Sequence, residues 1–391
     1  MKRCILFGCI LWSVGILAKT HPHLRISLIT QAPGEELYSV YGHSGLRVQR
    51  LDADWDYVFH WGLFDFKAPG FYVNFLRGFL WYKMGAVPFD LLYESSVRDR
   101  RSMWESTLRL DSAETEQLFQ LLQENYRPEN RRYLYDFIRD NCATRPRDVL
   151  RRVWGQRWVV PDTPRVSYRT LLRRYQSVKP WANLGIDLLL GTAVDRPVEP
   201  WHQMFLPMQL KEYLARSAVD GRPAVVEERA LLTYPMPKPS VPRWLQPLVI
   251  FALLLVVEVF LMMPQRGETL WVRWYDSMWF VVLGGAGMLI AFMWFGTEHW
   301  VTKWNWNLLW LHPLYFVMAY LRWRPCRCVG MVVHIVLALM VAAVAVSAPG
   351  LGIQSFPPEA YVLMGVTALK LRRLKRYGSA SPLPSSSASS Q

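Results

Sequence analysis

Cysteine is scarce in this chain, and its scarcity excludes several classes of protein. The 391 residues contain five cysteines, and Cys142 is the only one between Cys9 and Cys326. Disulfide-rich scaffolds and cysteine-based zinc sites need several cysteines at short spacing, so neither is expected. Histidine is also sparse, with eight residues, and no group of them has metal-ligand spacing. We therefore predict that the protein uses no metal and no cofactor.

The first 18 residues have the composition of an export signal. A basic start at 1–3 precedes an apolar run over 4–18 that ends in Ala18, where cleavage is expected. The stretch that ends at Cys9 resembles a lipobox only weakly, because it lies too early in the apolar run. If the signal is not cleaved, it becomes a membrane anchor with its basic end inside. In each case the domain that follows is exported.

The second half of the sequence predicts a helical membrane domain of four or five spans. A spanning helix needs roughly 20 apolar residues, so the third segment barely reaches the required length and the fifth falls short of it. The segments, in chain order, are 244–263, 278–296, 306–321, 329–347 and 359–371.

Basic residues predict the orientation of these spans. They cluster after the first, third and fifth spans, whereas the other loops carry almost none apart from Lys303. Because basic loops stay in the cytoplasm, the first span starts outside, in agreement with an exported domain before it. We predict a multi-pass membrane protein with an exported N-terminal domain. The basic clusters comprise Arg266 and Arg273; Arg322, Arg324 and Arg327; and Lys370, Arg372, Arg373, Lys375 and Arg376.

The exported domain has mixed secondary structure. Alternating and aromatic-rich stretches predict strands at 24–30, 44–51 and 56–64, and helices are predicted at 111–125 and 147–154. This mixture is typical of a small α+β fold. The predicted segments are a signal peptide at 1–18, the exported domain at 22–215, a linker with a proline-rich end at 216–243, the transmembrane domain at 244–376 and a disordered, low-complexity tail at 377–391.

The net charge of +14 has two sources. One is the set of cytoplasmic loops, and the other is a group of arginines between Arg145 and Arg174 in the exported domain. Anionic lipid headgroups are the nearest partners for basic residues of a membrane-tethered domain. A solvated helix face is the alternative. Nucleic acid is not expected on that side of the membrane.

Cys142 lies in the polar stretch "RDNCATRPRD" and is a candidate nucleophile. An exported cysteine without a partner is unusual, and its neighbours Asp140, Asn141 and Arg145 are not typical of a core; a buried structural cysteine is the alternative. A helix that begins here would lower the pKa of the thiol. Either Asn141 or Thr144 could cap that helix, and Thr144 accommodates the following proline better.

A nucleophilic cysteine needs a base, and His43 is the best candidate. It precedes a strand and is flanked by Gly42 and Gly45, which permit close approach of another chain or a substrate. The alternative is a turn histidine bonded to backbone. His60 or Asp65 could orient the base, or His60 could simply be satisfied within the sheet.

Several motifs in the order seen here resemble the Lnb-type lipoprotein N-acyltransferase family. They are "YSVYGHSGLRV", "FHWGLFDF", "PGFYVNFLRG", "YRPENRRYLYDFIRDNCATRPRD" and "MFLP" for the exported domain, and "TEHWVTKWNWNLLWLHPLYF" for the membrane domain. The order of histidine before cysteine is also similar to permuted papain-like enzymes of the NlpC and lecithin:retinol acyltransferase groups. The resemblance implies that permuted fold, with His43 as general base and Cys142 as nucleophile. The chain departs from the family pattern at His60 and at Pro146.

The resemblance also implies a location in the bacterial inner membrane, with the N-terminal domain in the periplasm, and an activity. An acyl chain would move from a membrane phospholipid to Cys142 as a thioester, and then to the N-terminal cysteine amine of a lipoprotein. We expect substrate contacts from Arg145, Asn141 and Tyr41, and an oxyanion site at the backbone N–H groups of the Cys142 helix start. The expected partners are thus a phospholipid, a lipoprotein and the membrane.

Two other functions are compatible with part of the sequence. A peptidoglycan peptidase or amidase could use the same histidine and cysteine, but it would not need four or five spans. A non-catalytic membrane scaffold would leave the histidine–cysteine arrangement without a purpose.

The membrane domain contains two further polar features. Glu258 lies within the first span, where a charge costs about 2.5–3.5 kcal/mol, so it should face another helix or a cavity. Polar residues near the outer ends of spans two and three accompany several tryptophans, a pattern typical of an interfacial belt or of a lipid entrance. These polar residues are His299, Asn305, Asn307 and His312.

Overall fold

The computed structural model describes residues 23–65, 67, 69–176, 178–263, 269–324, 326–348 and 351–378. The predicted signal peptide and nearly all of the predicted tail lie outside the described residues. The strands are β1 Leu24–Gln31, β2 His43–Arg50, β3 Trp55–Leu63, β4 Trp81–Pro88, β5 Met103–Leu108, β6 Arg132–Leu134, β7 Trp158–Val159, β8 Val166–Ser167, β9 Pro197–Val198, β10 Ala218–Val219, β11 Arg222–Pro223 and β12 Val225–Leu232. The helices are α1 Phe71–Arg77, α2 Phe89–Arg98, α3 Ser112–Tyr126, α4 Thr144–Trp154, α5 Tyr168–Gln176, α6 Pro180–Leu189, α7 Pro200–Gln203, α8 Pro207–Arg216, α9 Pro247–Leu261, α10 Leu270–Phe295, α11 Tyr315–Leu321, α12 Val329–Ser347 and α13 Pro358–Gly378.

A seven-stranded antiparallel sheet organises the N-terminal domain, in the order β12-β5-β1-β2-β3-β4-β6. Alternate side chains place Leu28, Leu46 and Phe59 in register on one face, where they join the core formed with α3, α4 and α8. The opposite face, with Ile29 and Val58, packs against α2. A mixed α and β domain is therefore confirmed. The permuted papain-like arrangement stays a prediction.

The predicted strands and helices of this domain are confirmed with shifts of a few residues. Helix α3 begins after Asp111, whose side chain accepts the Glu114 N–H at 2.8 Å, while the Glu114 carboxylate accepts the Asp111 N–H at 2.9 Å. This reciprocal pair satisfies two N–H groups that a helix start leaves without partners. Its spacing is visible in the sequence, which explains why the helix start could be predicted.

The structure differs from the predicted linker over 216–243. Strand β12 pairs with β5 and completes the edge of the sheet, so the N-terminal domain continues to Leu232. Asp220 and Gly221 adopt φ values of 50° and 74° and form the two-residue turn between β10 and β11. Asp-Gly is a strong signal for such a hairpin because both positions need positive φ. The sequence contained this signal, but the nearby prolines suggested a linker.

Two described helices, α10 and α12, are long and apolar enough to cross a membrane. Helix α9 is apolar but has only 15 residues, whereas α13 has 21 residues and carries Lys370 and Arg373 within it. Among the described helices, only α10 and α12 therefore have both the length and the composition of a span, compared with the four or five predicted. The number of membrane crossings stays a prediction.

The predicted third span, 306–321, is helical mainly over Tyr315–Leu321. The irregular chain before it packs against the middle of α10, where a Cβ added to Gly287 would lie 2.7 Å from the backbone of His312. Glycine thus permits a close approach that any other residue would block. Non-helical backbone at membrane depth is tolerated where protein covers it, and here α10 provides that cover.

Glu258 faces other helices, as the sequence predicted. Its carboxylate lies 2.6 Å from Lys370 Nζ and 2.8 Å from Arg373 Nη2, both on α13. Asp276 on α10 contacts the same two cations, and Arg322 at 3.3 Å. We call these five residues the ion cluster. Because every member is nearly or fully buried, the cluster ties α9, α10 and α13 together through compensated charges.

Candidate active site

Cys142 lies two residues before α4, on a turn that Asn141 holds in place. The Asn141 Oδ1 atom accepts the N–H groups of Ala143 at 2.7 Å and Thr144 at 3.0 Å. Its Nδ2 atom donates to the carbonyls of Phe137 at 2.6 Å and Phe205 at 3.0 Å. All four hydrogen-bonding positions of this buried amide are therefore used within the protein. The side chain positions the cysteine, and a contact with substrate stays a prediction.

The helix start agrees with one of the two predicted caps in its hydrogen bonds, because the Asn141 side chain accepts the first N–H groups, although the helix itself begins later. Helix α4 begins at Thr144 itself, and the residue before it, Ala143, forms no side-chain cap. Pro146 is the third helical residue, where the backbone N–H would have no partner within the helix, so the proline costs no hydrogen bond. The predicted oxyanion donors also change, because Asn141 already binds the Ala143 and Thr144 N–H groups.

The start of β2 lies directly against the cysteine. Ser44 donates its hydroxyl to the Cys142 carbonyl at 2.7 Å, and its backbone N–H interacts with the thiol. His43 immediately precedes Ser44 and begins β2. The predicted base thus lies one residue from a direct contact with the predicted nucleophile, although about 100 residues separate them in the chain.

His60 is the direct partner of His43. The His43 Nε2 and His60 Nδ1 atoms lie 3.1 Å apart, with the two rings nearly perpendicular. The strand register makes this possible because Gly45 on β2 faces His60 on β3, and a Cβ on Gly45 would lie 3.0 Å from the His60 Cβ. The predicted alternative, Asp65, instead accepts the Lys67 N–H in an exposed turn.

His60 is 7 % exposed, and its second nitrogen, Nε2, is buried without a hydrogen-bond partner in the described part of the chain. The ring therefore makes one polar contact, and that contact is to His43. A buried polar atom left without a partner costs free energy, which is common where a residue serves a function.

Burial sets the charge states of the site. It raises the pKa of the Cys142 thiol to about 11, although the N–H groups of Ser44 and Cys142 and the charge of Arg101 act in the opposite direction. Burial, helped by His60 and Arg101, lowers the pKa of His43 well below its usual range. Burial also lowers the pKa of His60 to about 4. The resting site therefore contains a neutral thiol and neutral imidazoles, and the lowered cysteine pKa predicted from the helix start is wrong.

The two other predicted binding residues are engaged in local contacts. The Tyr41 hydroxyl accepts from Gln176 Nε2 at 2.7 Å, and burial raises its pKa to about 12. Arg145 forms a two-bond ion pair with Asp140 and lies 3.9 Å from the centre of the Tyr133 ring. Asp140 thus already compensates the Arg145 charge. Substrate contacts of Tyr41 and Arg145 stay predictions.

An aromatic row that sequence reasoning missed leads away from the site. Tyr135 stacks on Tyr82 at 4.3 Å between ring centres, and Tyr82 stacks on Phe64 at 4.9 Å. Tyr135 is close enough to Cys142 for a thiolate charge there to raise its pKa further. The row continues through Phe71 to helix α1. The tyrosines alternate in "RRYLYDF", but alternation alone does not indicate what a strand faces.

Helix α1 lies beside the membrane domain and exposes apolar side chains. None of its residues is buried, and Tyr72 is 72 % exposed. Its last turn binds the loop that follows α10: the Glu298 N–H donates to the Arg77 carbonyl at 2.8 Å, and His299 Nε2 lies 2.9 Å from the Phe75 carbonyl. The exposed apolar face is therefore next to the end of a helix that can cross the membrane.

The same loop also contacts the segment that precedes Cys142. Trp300 Nε1 donates to the Asp136 carboxylate at 2.5 Å, and the Arg139 guanidinium lies 3.7 Å from the Trp300 ring centre. Asn305 and Asn307, fully buried, both donate to the Leu188 carbonyl. These two asparagines thus join the domains, which differs from the lipid-facing role that the sequence suggested.

Together these features define a membrane protein whose exported domain holds a cysteine–histidine site beside a helical membrane domain. Residues 20–174 match the family model described as the Lnb N-terminal periplasmic domain, and residues 239–375 match the Lnb transmembrane domain. The chain therefore belongs to the Lnb family. This membership indicates a membrane protein of lipoprotein maturation with a periplasmic N-terminal domain. Comparison with curated proteins and with solved structures gave no match.

Proposed function

We propose that this protein transfers an acyl chain from a membrane phospholipid, through a Cys142 thioester, to the N-terminal cysteine amine of a lipoprotein. The observation that carries the proposal is that Cys142 bonds Ser44, whose neighbour His43 contacts His60. The loop after α10 contacts Asp136, on the segment that precedes Cys142. Both substrates are lipids of one leaflet, and tethering the site at that leaflet raises their effective concentration.

In the first step, His43 takes the proton from Cys142 while the sulfur attacks the ester carbon of the phospholipid. A carbon–sulfur bond forms, the ester carbon–oxygen bond breaks, and the leaving alkoxide receives the proton from His43. Because Nε2 of His43 binds His60, its other nitrogen, Nδ1, is the one left for the thiol proton. The raised thiol pKa and the lowered His43 pKa support concerted proton transfer rather than a resting ion pair.

In the second step, the lipoprotein amine attacks the thioester carbon. The carbon–nitrogen bond forms, the carbon–sulfur bond breaks, and the amine proton returns to the sulfur through His43. A thioester reacts readily with amines, so one difficult exchange becomes two easier ones. The N–H groups of Ser44 and Cys142, which act on the sulfur, are the donors available for the oxyanion; losing one such donor costs about 3 kcal/mol.

The surroundings of the site support a lipid substrate in the inner membrane. The exposed apolar face of α1 and the aromatic row from Phe71 to Tyr135 form a continuous apolar path toward the cysteine. A peptidase of soluble peptidoglycan would not require that path. Substrate contacts by Tyr41, Asn141 and Arg145 belong to the same proposal.

Mass spectrometry tests the proposal. The Cys142→Ser variant should lose both the acyl adduct on residue 142 and the third acyl chain on lipoprotein N-termini, in cells lacking other enzymes of this activity. His202→Ala, on the short helix α7, is a matched control that should keep both. If the third acyl chain still forms in cells without this protein or any redundant enzyme, the proposal is wrong. A peptidase would instead change the peptidoglycan fragments, and a scaffold would tolerate the serine.

A further inference from the structure

A basic cavity lies beside the cysteine site and has no role in the steps above. Its volume is about 640 Å³, and it opens between the β5 end of the sheet and the connection to the first membrane helix. Five cationic residues line it against three carboxylates, which leaves an excess of positive charge. The cations are Arg98, Arg100, Arg101, Lys179 and Lys238.

Arg101 is the unusual member of this group. Its Nε atom donates to the Ala32 carbonyl at 2.9 Å, but its Nη2 atom is buried without a partner in the described residues. No carboxylate of the described chain pairs with it, and Asp99 acts on it only at longer range. By contrast, the exposed Arg98 pairs with Asp99 at 3.4 Å. Arg101 is part-buried, and its shielded Nη2 atom lacks a partner that an anionic ligand in the cavity could supply.

The position of Arg101 connects the cavity with the catalytic residues. Ala32 follows Gln31, which pairs with His43 across β1 and β2. The Gly42 backbone approaches so closely that an added Cβ would lie 2.7 Å from the Gln31 carbonyl. The Arg101 charge accordingly acts on both His43 and Cys142.

The cavity also lies near the membrane. The Ser240 N–H donates to the Val178 carbonyl at 2.8 Å and holds the connecting segment over the cavity. Three residues beyond Val178, Trp181 packs against Phe251 of α9 with 5.7 Å between ring centres, and its indole donates to the Leu245 carbonyl. The cavity is thus placed between the cysteine and the first helix of the membrane domain.

We infer that this cavity binds the phosphate of the phospholipid acyl donor, with Arg101 as the main contact, so that the donor ester reaches Cys142. The inference rests on the proposed function and deepens it. A guanidinium presents paired N–H donors that match phosphate oxygens, and its buried Nη2 would gain the partner it lacks. The donor lipid contains a phosphate and the acceptor lipoprotein amine does not. A phosphate-binding cavity would therefore distinguish the two and select the lipid that acylates the enzyme.

The test compares two acyl donors in detergent micelles, phosphatidylglycerol and diacylglycerol, by the rate at which each acylates Cys142 in the full-length protein. In the wild type the phosphate-containing donor should react faster. Arg101→Gln should lower the ratio of the two rates by about tenfold to a hundredfold, the usual weight of a charged hydrogen bond. Arg101→Lys should lower it less. Arg127→Gln, at an exposed arginine paired with Glu124, is the matched control and should leave the ratio unchanged.

Each outcome has one meaning. If Arg101→Gln lowers the acylation rate equally with both donors, Arg101 acts only through its effect on the ionisation of the thiol, and the inferred phosphate site is wrong. If neither donor acylates the wild type, the proposed acyl transfer is wrong, and the result is then distinct from a failure of the phosphate site alone. Should Arg101→Gln not fold, the double variant Lys179→Gln with Lys238→Gln decides, because it should lower the same ratio. Equal acylation of the wild type by the two donors would overturn the inference even if inorganic phosphate inhibits, because the cavity would then be a site for the free anion only.

Discussion

The ion cluster of the membrane domain and the cysteine site of the periplasmic domain treat buried polar groups in opposite ways. In the cluster, Glu258 and Asp276 each form ion pairs with Lys370 and Arg373, so each of these charges has a partner. In the site, His60 is buried and Cys142 and His43 are part-buried, but they carry no charge at rest.

The difference lies in what burial does to each group. A buried charge survives when an opposite charge repays its lost hydration, and the result is a fixed, structural contact. A buried group without such a partner stays neutral, and its pKa shifts in the direction that favours the neutral form. Shifted, uncompensated groups close together can exchange a proton, which is typical of active sites. The comparison predicts that substitutions should affect activity in one region and stability in the other.

The largest expected effect is on activity, from His43→Ala. Loss of the general base should lower the rate of Cys142 acylation by about 10²–10⁴-fold. The free energy of unfolding should change little or even increase, because the substitution removes a neutral, shielded imidazole and breaks no ion pair. Intact-mass kinetics measure the first quantity and denaturant unfolding in detergent the second. A large loss of stability with unchanged acylation would contradict the comparison.

Glu258→Ala should have the opposite profile. Removing one member of a buried ion pair leaves uncompensated cations and should cost about 3–5 kcal/mol of unfolding free energy. The double variant Glu258→Leu with Lys370→Leu should cost clearly less, because it removes opposite charges together. Acylation by the protein that remains folded should be close to normal. Equal losses in the single and double variants would show that packing rather than charge holds α9 to α13.

A smaller effect is expected from His60→Asn. An amide can still bond to His43, so the rate should fall by about tenfold, within the range expected when a neighbour of the base is replaced. Removing the His60 charge interaction should raise the pKa of His43 toward its usual value. Because the base must be neutral to act, the acidic limb of the pH–rate profile should then move to higher pH. An unmoved acidic limb would argue that His60 only fills space.

The smallest effect concerns the pH dependence of the unmodified protein. Since burial raises the pKa of Cys142 to about 11, the rate of alkylation should keep rising through pH 9 instead of levelling near the usual thiol value of about 8.5. A raised cysteine pKa favours the folded state with a neutral thiol, so this contribution to stability is present below about pH 8.5 and is lost as the pH rises toward 11. A plateau near pH 8.5 would mean that the thiol is exposed.

Several features could be predicted because they depend on residue type and short spacing. Cys142 and His43 were identifiable by their scarcity and by the motifs around them, and α3 by its capping pair. Glu258 was predicted to face a partner because a lone carboxylate in an apolar helix is costly.

Other features depend on contacts between distant segments. His60 was one of two candidates until the β2–β3 register placed it opposite Gly45. Arg101 carried no local signal, because its relation to His43 passes through Ala32, which directly follows β1. The irregular start of the predicted third span could not be foreseen for a similar reason: apolar composition does not reveal that α10 covers an irregular backbone.

By itself, the sequence determined which chemical groups the protein has and which segments are apolar, and it predicted which side of the membrane each end of a span prefers. These properties follow from side-chain hydration and local periodicity, which neighbouring residues set. Only the tertiary structure decided the charge states of Cys142 and His43 and left the Arg101 Nη2 atom buried without a partner among the described residues. The reason is physical: the polarity around a group is produced by whatever packs on it, and those neighbours come from remote parts of the chain.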